Sequence, residues 1–250
     1  MQLERIGEVA ILRMRAGKAN AIGSPWLARM DELIDQAARA RSPALVITGH
    51  EGFFSAGLDL PSLASLEREE MAGFIASFAH TMLRIFELPF PVVAAVNGHA
   101  VAGGCVLSLQ ADRRIAAEGD FLIGLNEVRL GIGLPGVVLE TLRCQLATPS
   151  LFPVAVEGRL VGPAEARALG LVDELAPPER LEARALERAA ELGALPREAF
   201  AEMKAALRAP VAHRVRDGLE ADARRWAATW FSDDARELRK KALERLSRKK

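Results

Sequence analysis

"PVVAAVNGHAVAGGCVLSLQAD", Pro91–Asp112, carries two structural periods side by side. Val92–Val96 is an unbroken run of β-branched and small apolar residues, the pattern of a strand covered on both faces. Asn97-Gly98 is a turn signal that ends the strand. The helix that follows opens around Ala102 to Gly104 and runs on through "GGCVLSLQ". A buried strand passing through glycines into a helix is the unit of an α/β fold, so the flanking segments decide whether it recurs.

It recurs on both sides. Upstream, "LERI" and "VAILRM" flank Gly7-Glu8 as a hairpin. "SPWLARMDELIDQAARA" is a helix with Ser24 as N-cap, Pro25 at the first helical position, and Leu27, Met30 and Ile34 on one face. "ALVIT", Ala44–Thr48, is a short strand, "GHEGFFSAGLDL" a loop, and Leu63 to Phe86 a long amphipathic helix. Downstream, "RRIAA", "FLIGL" and "LVDEL" read as strands and "PGVVLETLRCQLA" as a helix. From Pro177 onward the chain is nearly all helical and rich in Ala, Glu and Arg. The fold class expected is α/β with parallel strands: a core over residues 1–176 and a helical region over 177–250. That region can serve as a cap, a second lobe or an interface between copies.

Composition narrows the function classes. The 250 residues suffice for a sizeable core, and half of them are hydrophobic. Lys and Arg number 33 against 33 Asp and Glu, so bulk charge draws the chain neither to nucleic acid nor to an anionic membrane. Cys105 and Cys144 form no C-x-x-C pair and are expected as buried thiols of a reducing, cytoplasmic compartment. The start "MQLERIGEVAIL" has acids early and no long apolar run, unlike a signal or transit peptide. No segment reaches the roughly 20 apolar residues of a membrane span. His50, His80, His99 and His213 share no metal-ligand spacing, so no metal is expected.

Three glycine-containing segments can carry chemistry. "FFSAGLDL", Phe53–Leu60, leaves little side-chain bulk at Ala56 and Gly57, so a ligand can approach the main chain; it is equally a strand-to-helix turn capped by Asp59. In "NGHAVAGGCVLSLQAD", the paired glycines Gly103 and Gly104 suit either an anion held by free N–H groups or close helix packing. His99, beside this pair, is a candidate second polar group. "GIGLPG", Gly131–Gly136, fits G-x-G-x-x-G, with Glu157 about 20 residues on, but no strand runs directly into it. Just before it, "LIGLNEVRLGIGLP" holds one acid, Glu127, in an apolar run. Glu127 either pairs with Arg129 or solvent, or is a base whose pKa is raised by a dry pocket.

Taken together, "KANAI", "FSAGLDL", "NGHAVAGGC…AD", "GLNEVRLGIGLP" and "GLVDEL" resemble, in order and along nearly the whole chain, the crotonase or enoyl-CoA hydratase/isomerase superfamily. "FSAGLDL", "AGGC", "GLNE…LGI" and the terminal "LERL" are most similar to its 3,2-trans-enoyl-CoA isomerase branch. The resemblance implies a spiral of ββα turns with a helical C-terminal region that closes the site and joins subunits, as a homotrimer or dimer of trimers. It implies an acyl-CoA thioester as substrate and no cofactor beyond that coenzyme A. The backbone N–H groups of Leu58 and Gly103 would hold the thioester oxygen, and Glu127 would be the base. Lys18, Ala19 and Asn20 would lie along the nucleotide of CoA. Ala56, Gly57, Asp59, Leu60, Gly104 and Asn126 would line the substrate path.

Hydratases of this family usually carry a second glutamate in a pattern like G-G-C-E. Val106 stands there in "GGCVL". Adding water calls for two carboxylates to orient and deprotonate it, whereas one suffices to move a proton along an enolate. The expected reaction is therefore isomerisation of 3-enoyl-CoA to trans-2-enoyl-CoA, with hydration or non-catalytic acyl-CoA binding as alternatives.

Overall fold

The computed structural model describes residues 1–50 and 52–247, so Arg248–Lys250 of the expected helical region lie outside it. The chain opens with the expected hairpin, β1 (Gln2–Ile6) and β2 (Val9–Arg13), with Gly7 at φ +60° in its turn. After α1 (Ser24–Arg39) come three successive turns of one design. The first is β3 (Leu45–Thr48), β4 (Phe53–Ser55), then α2 (Leu60–Leu63) and α3 (Arg68–Phe86). The second is β5 (Val92–Val96), β6 (His99–Val101) and α4 (Gly103–Leu109). The third is β7 (Arg113–Ala117), β8 (Ile123–Gly124), a 3-10 turn at Glu127–Leu130, and α5 (Gly136–Gln145). There follow α6 (Thr148–Leu151), β9 (Leu160–Val161), α7 (Pro163–Ala168) and β10 (Glu174–Ala176). The helical end consists of α8 (Leu181–Gly193), α9 (Arg197–Trp230) and α10 (Asp233–Ser247).

Each turn leaves its first strand in one sheet and its second strand in another. The larger sheet has the order β1-β2-β3-β5-β7-β10, parallel throughout except for the β1–β2 hairpin. The smaller has the order β4-β6-β8-β9, with β4, β6 and β8 parallel and β9 antiparallel. This is the expected spiral of ββα turns. The strands β3 and β5 are buried along their whole length, as their apolar runs require.

Local details differ from the sequence reading. Phe53–Ser55, read as loop, is β4, and the strand expected to stop at Asn97-Gly98 resumes as β6. Segments this short show no periodicity for a sequence pattern to catch. The single helix expected from Leu63 is two, because α3 starts afresh at Arg68. There Glu67 and Glu70 form a reciprocal capping box built without Ser or Thr. Ser24 is the first residue of α1, not its cap; Gly23 holds that position. Cys105 is buried as expected, but Cys144 is exposed.

The C-terminal helices pack onto the core itself. α8 lies against β2, β3, β5 and β7, and α9 against α3 and α5. α9 is pinned by charge. Lys204 Nζ donates to Asp112 Oδ2 at 2.7 Å and to Phe90 O at 3.0 Å, while Arg208 Nη2 meets Asp112 Oδ1 at 2.8 Å. Asp112 also accepts from Val92 N–H at 2.7 Å. Burial pushes the Lys204 ammonium down to about 8, against the pull of Asp112. One carboxylate thus serves two buried cations, and removing it leaves both uncompensated. Asp112→Ala is expected to lower stability by about 3–5 kcal/mol, read as a drop in the urea midpoint.

Candidate active site

The parallel pairing of the small sheet brings three loops together. Ser55 pairs with Ala100 and Val101 with Gly124, so β4, β6 and β8 end side by side. The residues that follow them, Gly57-Leu58, Ala102-Gly103 and Leu125-Asn126-Glu127, therefore leave the same edge of the sheet. Carboxyl ends of parallel strands are where open α/β sheets bind ligands. The first two loops touch. A Cβ on Gly57, at φ +90°, would stand 2.8 Å from Val101 O and 3.1 Å from Gly103 N. One on Gly104 would strike Ser55 O at 2.2 Å. Gly57 and Gly104 are thus required by close approach, whereas a Cβ on Gly103 would meet nothing nearer than Ile22 Cδ1 at 3.3 Å.

Two donors are left free by this contact. The peptide after Gly57 is held from behind, with Ile22 N–H donating to Gly57 O at 2.8 Å and Asp59 N–H to Ile22 O at 3.0 Å. Leu58 N–H between them has no partner among the described residues. Gly103 N–H has none either, as the first residue of α4. Ala102, which turns the chain into α4, has φ +51° and ψ −123°, a region that favours glycine. The strain is retained where the backbone must aim Gly103 N–H outward. The side chains of Ile22 and Leu58 flank Gly103, at 3.3 Å and 3.6 Å from where its Cβ would stand.

Glu127 begins the 3-10 turn after β8. Its Oε2 is sealed from solvent and has no hydrogen-bond partner, and no cation pairs with it among the described residues. Arg129, the alternative partner, donates instead to Gly158 O at 2.7 Å. Burial raises the Glu127 carboxyl to about 7, with only its own and Asn126's backbone opposing. Asn126 Oδ1 is a second buried acceptor without a donor. Cys105, in the first turn of α4, is close enough for the charge of Glu127 to act on it; burial first and that charge second push its thiol up to about 12. Val106 beside it is buried.

The remaining sequence candidates divide. Ala19 O accepts Ala56 N–H at 2.9 Å, so "KAN" does run beside the Ala56–Leu60 loop, with Lys18 exposed. Asn20 is buried and its side chain is spent inward: Oδ1 accepts Ala16 N–H, and Nδ2 donates to Met14 O and Phe54 O. Asp59 and Leu60 are half-buried at the start of α2, and Asp59 caps it without a side-chain bond. His99 is turned away, accepting Leu122 N–H and packing between Phe53 and Phe121. "GIGLPG" serves the C-terminal helices. Gly133 O accepts Trp226 Nε1–H at 2.7 Å, Gly133 N–H donates to Thr229 Oγ1, and Gly131 and Gly136 leave room for Ala235 and Asp222. No cluster of metal-binding side chains exists among the described residues, and no helix there is long and apolar enough to cross a membrane. Sequence reasoning passed over Ser55, whose buried hydroxyl bonds to both Asn20 O and Gly57 N–H. Nothing in the sequence distinguishes it from any serine in a loop.

The arrangement offers two backbone donors and one neutralisable carboxyl, the parts needed to remove a proton beside a carbonyl. Comparison with known proteins agrees. The enoyl-CoA hydratase/isomerase family matches residues 4–249. The human mitochondrial enoyl-CoA delta isomerase 1 is 29% identical over 97% of this chain and 81% of its own. A probable enoyl-CoA hydratase of Bacillus subtilis is 31% identical over 92% of this chain and 90% of its own. The crystal structure of human mitochondrial delta3-delta2-enoyl-CoA isomerase superposes with a TM-score of 0.94 at 29% identity, covering 100% of this chain and 98% of that one. With the family's pattern matched from end to end and its fold reproduced, this chain belongs to the enoyl-CoA hydratase/isomerase family.

Proposed function

We propose that the protein is an enoyl-CoA isomerase that converts 3-enoyl-CoA to trans-2-enoyl-CoA by a proton shuttle on Glu127. The observation that carries this reading is the Glu127 carboxyl, whose Oε2 is buried without a partner, with no second acid at Val106. The Glu127 carboxylate removes a proton from C2, beside the thioester carbonyl. The electron pair moves into the carbonyl, and the resulting dienolate oxygen is held by Leu58 N–H and Gly103 N–H. The carboxylic acid then returns the same proton to C4, leaving the double bond between C2 and C3. No electrons are gained or lost overall and no water is consumed, so the step calls on no redox group and no cofactor beyond the coenzyme A of the substrate.

In this reading Ala56, Gly57, Asp59, Leu60, Gly104 and Asn126 line the acyl and pantetheine path, and Lys18, Ala19 and the backbone of Asn20 lie toward the nucleotide. The assembly proposed is a homotrimer or a dimer of trimers. It is supported by exposed apolar side chains next to the Glu127 turn, Val128, Phe152 and Val156, which another copy would cover. Hydration is the second reading, favoured by a relative named as a probable hydratase.

Three outcomes check the isomerase reading. Glu127→Gln should cut turnover of 3-hexenoyl-CoA by about 10²–10⁴-fold, while binding of saturated hexanoyl-CoA, followed by calorimetry, is retained. A wild type that adds water to crotonyl-CoA faster than it isomerises 3-hexenoyl-CoA establishes hydration instead. The base must be ionised to act, so kcat/KM should rise with pH through about 7 and level off above it. Stability runs the other way. A carboxyl held near 7 in the fold and near its ordinary value when unfolded favours the native state fully only below that ordinary value. The contribution is lost as pH rises through about 7. Glu127→Gln should therefore melt several degrees above wild type at pH 8, and the gap should close toward pH 5 in thermal scans.

A further inference from the structure

The Leu58 donor depends on a single rotatable point. Gly57, at φ +90°, links two peptide groups and has no side chain to restrain either. The peptide after it is held at its oxygen by Ile22 N–H. Because C=O and N–H of one peptide point in opposite directions, that bond turns Leu58 N–H toward the site. The peptide before Gly57 is held at its nitrogen, and among the described residues the only group that does so is Ser55 Oγ, at 3.2 Å.

Ser55 is built for this. Its hydroxyl has one proton, and that proton is committed to Asn20 O at 2.8 Å, which leaves its lone pairs facing Gly57 N–H. Asn20 is itself immobile: it lies at φ +48°, fully buried, with its amide bonded to Ala16, Met14 and Phe54. Ser55 also bears on the other donor, since a Cβ on Gly104 would stand 2.9 Å from Ser55 Cβ and 2.2 Å from Ser55 O. One buried side chain thus touches the loops of both free N–H groups without reaching the space in front of them.

We propose that Ser55 is a positioning residue for catalysis, its hydroxyl relaying the fixed backbone of Asn20 to Gly57 so that Leu58 N–H meets the substrate carbonyl oxygen in line. This rests on the reading in which Leu58 and Gly103 hold a thioester oxygen. Misaimed donors weaken the hold on a developing charge more than the hold on a neutral carbonyl, so the effect belongs in turnover and not in ground-state binding.

The test compares wild type, Ser55→Ala and Ser55→Cys, the last filling the same space with a weaker hydrogen-bonding group. Three readouts are taken: kcat and KM on 3-hexenoyl-CoA, the affinity for hexanoyl-CoA, and the absorbance of bound 2,4-hexadienoyl-CoA. The last shifts to longer wavelength as its carbonyl is polarised. The proposal predicts that Ser55→Ala loses about tenfold in kcat, a fraction of what deleting an oxyanion donor costs. Its KM and hexanoyl-CoA affinity stay within about twofold, its absorbance shift shrinks, and Ser55→Cys falls between. Should Ser55→Ala fail to fold, Ser55→Cys alone must show the reduced kcat and shift. Wild-type kcat and shift in both variants overturn the proposal, as does a kcat loss matched by an equal loss of hexanoyl-CoA affinity. A wild type that binds the dienoyl thioester without any shift overturns the thioester reading and this proposal with it, which separates the two failures.

Discussion

Everything in this site follows from the parallel pairing of three very short strands. β4, β6 and β8 contribute eight residues between them, yet their register fixes where the chain leaves the sheet after each one. Once Ser55, Ala100 and Ile123 lie abreast, with Val101 beside Gly124, the next residues of each loop leave the sheet together. Glycine at 57 and 104 is what lets the first two loops fit. The larger sheet contributes the long buried apolar strands, and the smaller one spends its few hydrogen bonds on geometry.

The resulting site is unfavourable in isolation. Two N–H groups have no partner among the described residues, Ala102 adopts a strained backbone, and one carboxyl oxygen of Glu127 is sealed off from water. Such features persist only where the surroundings over-determine them. Here the surroundings are the buried sheet behind and the C-terminal helices in front. α9 is fastened to the core by Asp112, Lys204 and Arg208, and it grips the 131–136 loop through Trp226 and Thr229. α10 then rests on that loop at Gly131. The helical end is thus continuous with the wall that holds Glu127, which joins the stability of the tail to the geometry of that carboxyl.

The sequence made the large sheet legible because its strands are apolar along their length and its helices have clear faces. It also brought out the segments that the fold gathers at one sheet edge, since Gly57, the Gly103–Gly104 pair and Glu127 are conspicuous against their neighbours. The small strands were not legible: two or three residues carry no period, and their existence depends on pairing between distant segments. The G-x-G-x-x-G match, already discounted because no strand runs into it, has a different use. Glycine marks close approach whatever approaches, and here it is a helix. Ser55 was invisible because its role lies in two hydrogen bonds that only the folded backbone supplies.

The neighbourhood of Glu127 and Cys105 has a further consequence. Under the proposed reaction the product is an α,β-unsaturated thioester, an electrophile that adds thiolates at C3. A cysteine stands in the first turn of the helix whose leading N–H would hold that product. Burial first and the charge of Glu127 second push its thiol up to about 12, so at neutral pH it stays in the protonated, poorly nucleophilic form. The burial that raises the Glu127 carboxyl thus also holds the neighbouring thiol in its unreactive form.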